Sequence, residues 1–275
     1  MAGLELSTSV FVILSSLIED KVGLHYEMHD RELLEQKASA RALEAGFESL
    51  LDYYYYLRYD PHGDEELDEL VESLVVGETY LFREWQPIQV LVDAFVAPWC
   101  AVGRRPRIWS AACASGEEPL SLAMLLDARG LLSQVEIVAS DLSTRALDKA
   151  RRGRYGKRSL RHDVEPQLVE RYLRAVDDGY VVDPRLTEAV RWHHGNLLRD
   201  ESVAPLGRFD AILCRNVLIY FSDRTVRAVL ERLARALRDE GVLLVGVSES
   251  LSRYGSGLAG EERGGAFFYR KVVTP

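Results

Sequence analysis

The stretch Arg107-Ile108-Trp109-Ser110-Ala111-Ala112-Cys113-Ala114-Ser115-Gly116-Glu117-Glu118-Pro119-Leu120-Ser121-Leu122-Ala123-Met124 decides the fold. It reads as a short strand, a loop of small residues, and a helix from Glu117 to Ala128 entered through Ser115-Gly116. Small side chains let a ligand approach the backbone closely, as at the first turn of dinucleotide-binding sheets. The loop nevertheless carries neither GxGxxG nor GK[ST]. Two carboxylates stand where a phosphate would need N–H groups, which disfavours a pyrophosphate and favours a ligand that is cationic or rich in hydroxyls. The plainer alternative is an ordinary turn whose Glu117 and Glu118 stabilise the helix start through its dipole.

Outward from this unit the pattern repeats. Val135–Ser140 reads as a strand followed by a helix over Ser143–Arg152. Phe209–Cys214 and Gly241–Val247 read as strands separated by a helical stretch, Asp223–Arg238, and Phe267–Val272 as a last strand. Alternating strands and helices predict an α/β fold with a doubly wound, mostly parallel sheet, whose ligands lie beyond the carboxyl ends of the strands. An irregular insert from about Gly153 to Trp192 interrupts it, with a helix over Glu165–Leu173, a turn at Asp177-Asp178-Gly179 and a β-like stretch Tyr180–Asp183. It is too long for a plain connection and too short for its own core, so a small subdomain is expected.

The first hundred residues read as helices: Ser9–Lys21 stopped by Gly23, Asp30 (as N-cap) through Ala45, Glu48–Arg58 with four consecutive tyrosines (Tyr53–Tyr56), a fourth from Asp64, and a fifth over Trp85–Trp99. The division expected is an all-α domain over 1–103 and an α/β domain over 104–275.

Composition narrows the class. The 275 residues are 47% hydrophobic and 28% charged, enough apolar side chain to offset folding entropy. No run of about 18 apolar residues spans a membrane, and no basic residue precedes the apolar run Val10–Leu14, which therefore does not read as a signal peptide. Cys100, Cys113 and Cys214 form no CxxC pair, so neither zinc nor a disulfide framework is expected, no other metal is called for, and a reducing cytoplasm fits. The net charge of −9 is segregated: residues 1–80 hold 5 basic and 18 acidic side chains. A surface of that sign is a poor match for nucleic acid.

The remaining candidates follow strand ends. Asp141 is placed where ribose hydroxyls are gripped, or else caps the next helix. Asn196, after Gly195, and Asn216, in Cys214-Arg215-Asn216-Val217-Leu218-Ile219-Tyr220-Phe221, offer donor and acceptor to a flat base edge or an amino-acid moiety, or else serve as turn residues.

Together with Gly77-Glu78-Thr79-Tyr80-Leu81-Phe82-Arg83-Glu84, the segments Trp109–Met124, Ala139–Leu147 and Phe209–Phe221 resemble the chemotaxis protein-glutamate O-methyltransferase (CheR) family, in the family's order and from about Phe11 to Val272. The resemblance implies a class I S-adenosylmethionine-dependent methyltransferase domain, with an all-α N-terminal domain facing a receptor and a small inserted β-subdomain. It implies cofactor contacts at Thr79, Arg83, Glu117, Asp141, Asn196, Leu197, Asn216 and Val217, with Asp141 on the ribose and Asn196 and Leu197 flanking adenine. Arg83 suits a carboxylate, and Tyr220 either lines the methyl-transfer site or packs as an ordinary aromatic. The product would be S-adenosylhomocysteine, the partner a methyl-accepting chemoreceptor or related signalling protein, and the location cytoplasmic.

Two departures stand out: Gly77 replaces the family's usual Asn, and the second helix, basic in the family, offers only Lys37 and Arg41 as substrate-facing cations. The insert also lacks the glycine-containing loop of members that tether to a receptor's C-terminal peptide, so an enzyme without a tether is expected. A carboxyl methyltransferase with another signalling target, and a non-catalytic cofactor-binding module, are the alternatives.

Overall fold

The structure is a computed structural model that describes residues 3–161, 165–255 and 257–271. The chain forms two compact units, one running to Val76 and including Tyr220–Thr225, the other comprising Gly77–Ile219 and the residues from Val226 onward.

The first unit holds four helices among the described residues: α1 (Thr8–Val22), α2 (Arg31–Glu44), α3 (Leu50–Tyr59) and α4 (Gly63–Leu74). Ser7 Oγ caps α1 by accepting the Val10 N–H, and Gly23, at φ 82°, ends it. Asp30 sits at the N-cap position of α2, but its side chain accepts the Glu27 N–H at 2.9 Å rather than a helical one. Ser49 caps α3 through the Leu51 and Asp52 N–H groups. Gly63 permits the close start of α4, since a Cβ there would lie 2.4 Å from the Tyr56 carbonyl oxygen.

The four tyrosines divide by helical direction: Tyr53 is fully buried, Tyr54 and Tyr56 half-buried, and Tyr55 exposed. The Tyr53 hydroxyl donates to Glu66 at 2.7 Å, and the Arg41 guanidinium grips the same carboxylate through Nε at 2.8 Å and Nη2 at 2.6 Å. Arg41 also donates to Glu44 at 2.9 Å. Arg41 is therefore committed to tying α2 to α4 and does not project as a substrate-facing cation; Lys37 alone of that pair is exposed. The segment Tyr220–Thr225 joins this unit as a short edge, with the His25 N–H donating to the Tyr220 carbonyl and a bridge between Leu24 and Phe221.

The second unit opens with α5 (Trp85–Leu91), a π-helical turn over Val92–Val96, and α6 (Ala97–Ala101). These bury Ile88, Leu91, Val92 and Phe95 in the same cluster as the sheet, with the Phe95 and Phe268 rings 5.0 Å apart. That packing moves the division between units from the expected position 103 to Val76/Gly77. The apolar face of Trp85–Ala101 has its partner surface on the strands that follow.

Next come β1 (Arg107–Ala111), α7 (Glu117–Ala128), β2 (Glu136–Asp141), α8 (Thr144–Arg152), β3 (Arg154–Gly156), α9 (Pro166–Tyr172), β4 (Leu173–Val176), β5 (Gly179–Val182), α10 (Pro184–Glu188), β6 (Val190–His194), α11 (Asp200–Val203), β7 (Phe209–Cys214), α12 (Asp223–Ala236), β8 (Leu237–Val245), β9 (Leu258–Arg263) and β10 (Ala266–Lys271). The seven-stranded sheet runs β6-β2-β1-β7-β8-β10-β9, parallel except that β10 is antiparallel to both neighbours. A three-stranded antiparallel sheet, β3-β5-β4, forms the insert. The expected α/β architecture with its small β-subdomain is what the structure contains. Three strands were not foreseen: β3, β4 and β9. β8 starts at Leu237, inside the stretch expected to be helical, and Val272 lies outside the described residues.

Chain order reverses between β1 and β7, so the switch point of the sheet lies there, and Ala111 pairs with both Ser140 and Cys214. The carboxyl ends of β2, β1 and β7 are thereby level with one another.

Candidate active site

Everything that follows β1, β2, β6 and β7 converges on the switch point. After β1 the backbone turns through three left-handed residues, Ala112 (φ 57°), Ala114 (φ 48°) and Gly116 (φ 89°). Only glycine fits the last of these, because a Cβ would meet Ala150 at 2.6 Å and Trp192 at 2.9 Å. The loop is held from β2, where Asp141 accepts the Ala114 N–H at 2.7 Å and the Ser143 N–H at 2.9 Å. From β6, the Gly195 N–H donates to the Asp141 carbonyl at 3.0 Å, so the turn carrying Asn196 and Leu197 adjoins the same strand end. Asn196 Oδ1 accepts the Leu198 N–H at 2.9 Å, which makes it a turn residue as well as a candidate ligand.

Glu117 is fully buried in the first turn of α7. It accepts the Ser115 hydroxyl at 2.7 Å and the Ser159 hydroxyl at 3.2 Å, with the Lys149 ammonium 3.7 Å away. Helix dipole and cation together make a buried carboxylate tolerable. The neighbouring thiols are unsuited to nucleophilic work, since burial pushes Cys113 and Cys214 well above the ordinary thiol range.

On the β7 side the structure shows a network that the sequence did not reveal. Arg215, almost completely buried, donates to Glu118 at 2.9 Å, to Glu84 at 3.0 Å and to the Arg83 carbonyl at 2.8 Å. Glu84 further accepts the Asn216 side-chain amide at 3.1 Å and the Val247 N–H at 3.2 Å. Burial works to raise the Glu84 pKa, but the hydrogen bond from Asn216 and the charge and hydrogen bond of Arg215 hold it below the ordinary carboxylate value. Asn216 adopts φ 57°, and its N–H, with those of Val217, Leu218 and Gly246, points at the Glu249 carboxylate at 2.7, 3.0, 2.8 and 2.7 Å.

Glu84 and Glu249 carry no strand-end signature of their own, whereas Arg215 directly follows β7. A buried arginine placed immediately after a core strand is the one signal that could have pointed to them. Arg83 meanwhile donates to the Glu78 carbonyl at 2.9 Å and lies over the Tyr80 ring, and Thr79 is half-buried in the same segment.

The structure thus brings Glu117, Asp141, Asn196, Leu197, Asn216 and Val217 to the strand ends of one unit, with Thr79 and Arg83 on the segment leading into it, where the Arg83 carbonyl meets Arg215. Tyr220, Lys37 and Arg41 belong to the helical unit instead. The donor set fits S-adenosylmethionine: buried carboxylates suit a ligand with cationic and hydroxyl groups, amides suit a base edge, and a left-handed loop of small residues admits close approach. Among the described residues no group of acids, histidines and cysteines could hold a metal ion.

A mostly parallel sheet with one antiparallel strand inserted near its edge, and acidic rather than phosphate-binding strand ends, defines an S-adenosylmethionine-dependent methyltransferase. Comparison with known proteins narrows the class. Residues 10–75 match the CheR methyltransferase all-alpha domain, and residues 77–258 match the CheR methyltransferase SAM-binding domain. The chain belongs to the CheR family of protein-glutamate methyltransferases.

It is 36% identical over 243 residues to chemotaxis protein methyltransferase 2 of Vibrio cholerae, covering 86% of this chain and 83% of that one. It is 33% identical over 251 residues to chemotaxis protein methyltransferase 1 of Pseudomonas aeruginosa, covering 88% and 90%. The "probable biofilm formation methyltransferase WspC" of the same organism is 33% identical over 87% of this chain and 57% of its own length.

Proposed function

We propose that this protein methylates glutamate side chains of a methyl-accepting chemoreceptor in the cytoplasm, without a C-terminal tether peptide. Similarity along almost the whole chain to named chemotaxis methyltransferases supports the reaction and the substrate class. In the proposed assignment Asp141 takes the ribose hydroxyls, Asn196 and Leu197 the adenine, and Thr79, Glu117, Asn216 and Val217 the rest of the cofactor. Arg83 orients a carboxylate, whereas Tyr220 falls in the helical unit and is left out of the assignment. When bound, S-adenosylmethionine supplies a sulfonium methyl group: its S–C bond breaks as a C–O bond to the glutamate oxygen forms, leaving S-adenosylhomocysteine.

A glutamate with ordinary pKa near 4.3 is ionised at neutral pH, so no general base is needed. That agrees with a site built of carboxylates, amides and the arginines Arg83 and Arg215, with its thiols held protonated. The protein's task is alignment and exclusion of water, because an anion and a cation become two neutral groups and desolvation favours the transition state.

The similarity to the WspC proteins supports a second reading, the same reaction on another signalling protein. The test is transfer of labelled methyl to candidate receptors, with and without their C-terminal residues. Base-labile label that survives removal of the tail is the expected result. No label on any receptor, or label only with the tail, overturns the proposal in whole or in its tether clause, and label on a non-receptor signalling protein alone favours the second reading.

A further inference from the structure

We propose that the amino-terminal side of the parallel sheet carries a second ligand site, between α11 and the last turn of α12, that takes a phosphomonoester of nucleotide size. The proposal goes beyond the methyltransferase reading and stands independently of it. A cavity of about 400 Å³ opens there. Val203, Ala204 and Ala236 give it an aliphatic wall, and Arg208, Arg232, Arg235 and Asp200 supply its charged groups.

The chain brings three guanidinium groups together by local means. Arg232 and Arg235 lie three residues apart on α12 and so share a face of that helix, and Arg208 immediately precedes β7. Gly207, at φ 81°, turns the chain into that strand, and the Arg208 carbonyl accepts Arg107 Nη1 at 3.0 Å, which fixes the Arg208 backbone. Asp200, the first residue of α11, accepts Arg232 Nε at 2.8 Å and Arg235 Nη2 at 3.1 Å, both on Oδ1. The Ala228 carbonyl accepts Arg232 Nη1 at 3.0 Å, so this half-buried arginine is held from two sides. Arg208 has no ion-pair partner among the described residues.

Charge selects the ligand. Three guanidinium groups face one carboxylate, and Glu201 and Glu231, though adjacent in sequence to Asp200 and Arg232, do not line the cavity. Two positive charges are left over. A phosphomonoester carries about −1.5 to −2 at neutral pH and matches them, and the planar guanidinium suits its oxygens. The volume is that of a small-molecule site and exceeds what a phosphate fills, so the aliphatic wall is open to the body of the ligand, on which a guanidinium plane can also stack. The site is separate from the cofactor's: Arg208 precedes β7 and Asn216 and Val217 follow it, with six residues, roughly 20 Å at about 3.3 Å each, between them.

The test is isothermal titration of the full chain with UMP, GMP, their nucleosides and inorganic phosphate, in excess S-adenosylhomocysteine so that the cofactor site is filled. At least one nucleotide should bind one-to-one with a dissociation constant below about 1 mM, its nucleoside should not bind, and inorganic phosphate should bind about tenfold or more weakly. Arg208→Gln/Arg235→Gln should lose about tenfold or more in nucleotide affinity, while its circular dichroism spectrum and affinity for S-adenosylhomocysteine stay at the wild-type values. No binding of either nucleotide, equal binding of nucleotide and nucleoside, or wild-type nucleotide affinity in the double variant overturns the site. Inorganic phosphate binding as tightly as the nucleotides overturns the nucleotide-sized ligand. Tighter binding of a DNA duplex than of the nucleotides at the same salt overturns the small-molecule assignment.

Discussion

The Glu249 carboxylate is the most exacting place to test how the site is held. It receives four backbone N–H groups, two on each oxygen, at 2.7–3.0 Å, and three of them belong to the consecutive residues Asn216, Val217 and Leu218. Glu249→Gln keeps the shape but leaves one oxygen. The other position becomes an NH2 group facing two N–H donors. A hydrogen bond to an ionised acceptor is worth about 1.5–3 kcal/mol, so losing two of them, partly relieved by relaxation, destabilises the closed loop by about 3 kcal/mol.

Asn216 at φ 57° already costs on the order of 1 kcal/mol, which its 3.1 Å hydrogen bond to Glu84 offsets. Because Asn216 and Val217 stand among the proposed cofactor contacts, the opening should appear as weaker binding. At about 1.4 kcal/mol per decade, the dissociation constant for S-adenosylmethionine should rise about 10–100-fold. Isothermal titration with S-adenosylmethionine and S-adenosylhomocysteine, together with urea unfolding, reads both effects. A variant that binds within about twofold of wild type and unfolds at the same urea midpoint refutes the claim that this carboxylate holds the loop.

Two further outcomes follow from the ion pairs. Glu66→Gln removes the charge and one of the two acceptor oxygens that serve Arg41 and Tyr53 in the helical unit and should lower stability by about 2–4 kcal/mol, seen as a reduced melting temperature, with the calorimetric affinity for S-adenosylmethionine unaltered; an unchanged melting temperature contradicts the role assigned to that carboxylate. For Glu84, whose pKa in the folded state is depressed, the stabilisation is complete above the unfolded carboxylate value of about 4.3 and is lost as pH falls through the lower folded value. The stability gap between wild type and Glu84→Gln should therefore be wide at neutral pH and narrow toward acid, and a gap in urea midpoints that stays constant from neutral to strongly acid pH counts against the Arg215–Glu84 pair.

Much of the fold was legible because its signals are local. Gly23 marks a helix end through its left-handed geometry, and alternating strands and helices define a parallel sheet before any contact is known. β3, β4 and β9 escaped because they are short strands at sheet edges, and pairing across the sheet, not periodicity, makes them strands. Leu237 escaped for a related reason: its pairing with Phe209 across a bulge outcompetes continuation of α12. The candidate ligands at strand ends were named from loop position and side-chain chemistry. Arg41 misled because a basic residue on a helix looks available until its carboxylate is located on another helix.

By itself the sequence determined the α/β class, the all-α N-terminal domain and the candidate ligands Asp141, Glu117, Asn196 and Asn216, since each rests on residue type and spacing along the chain, and it pointed to the family through the resemblance of whole segments. Only the tertiary structure decided where the units divide, that Arg41 is occupied, and that Arg215, Glu84 and Glu249 brace the strand-end loops. These depend on which distant segments meet, and burial and charge pairing act through space, where the order of residues leaves them unstated.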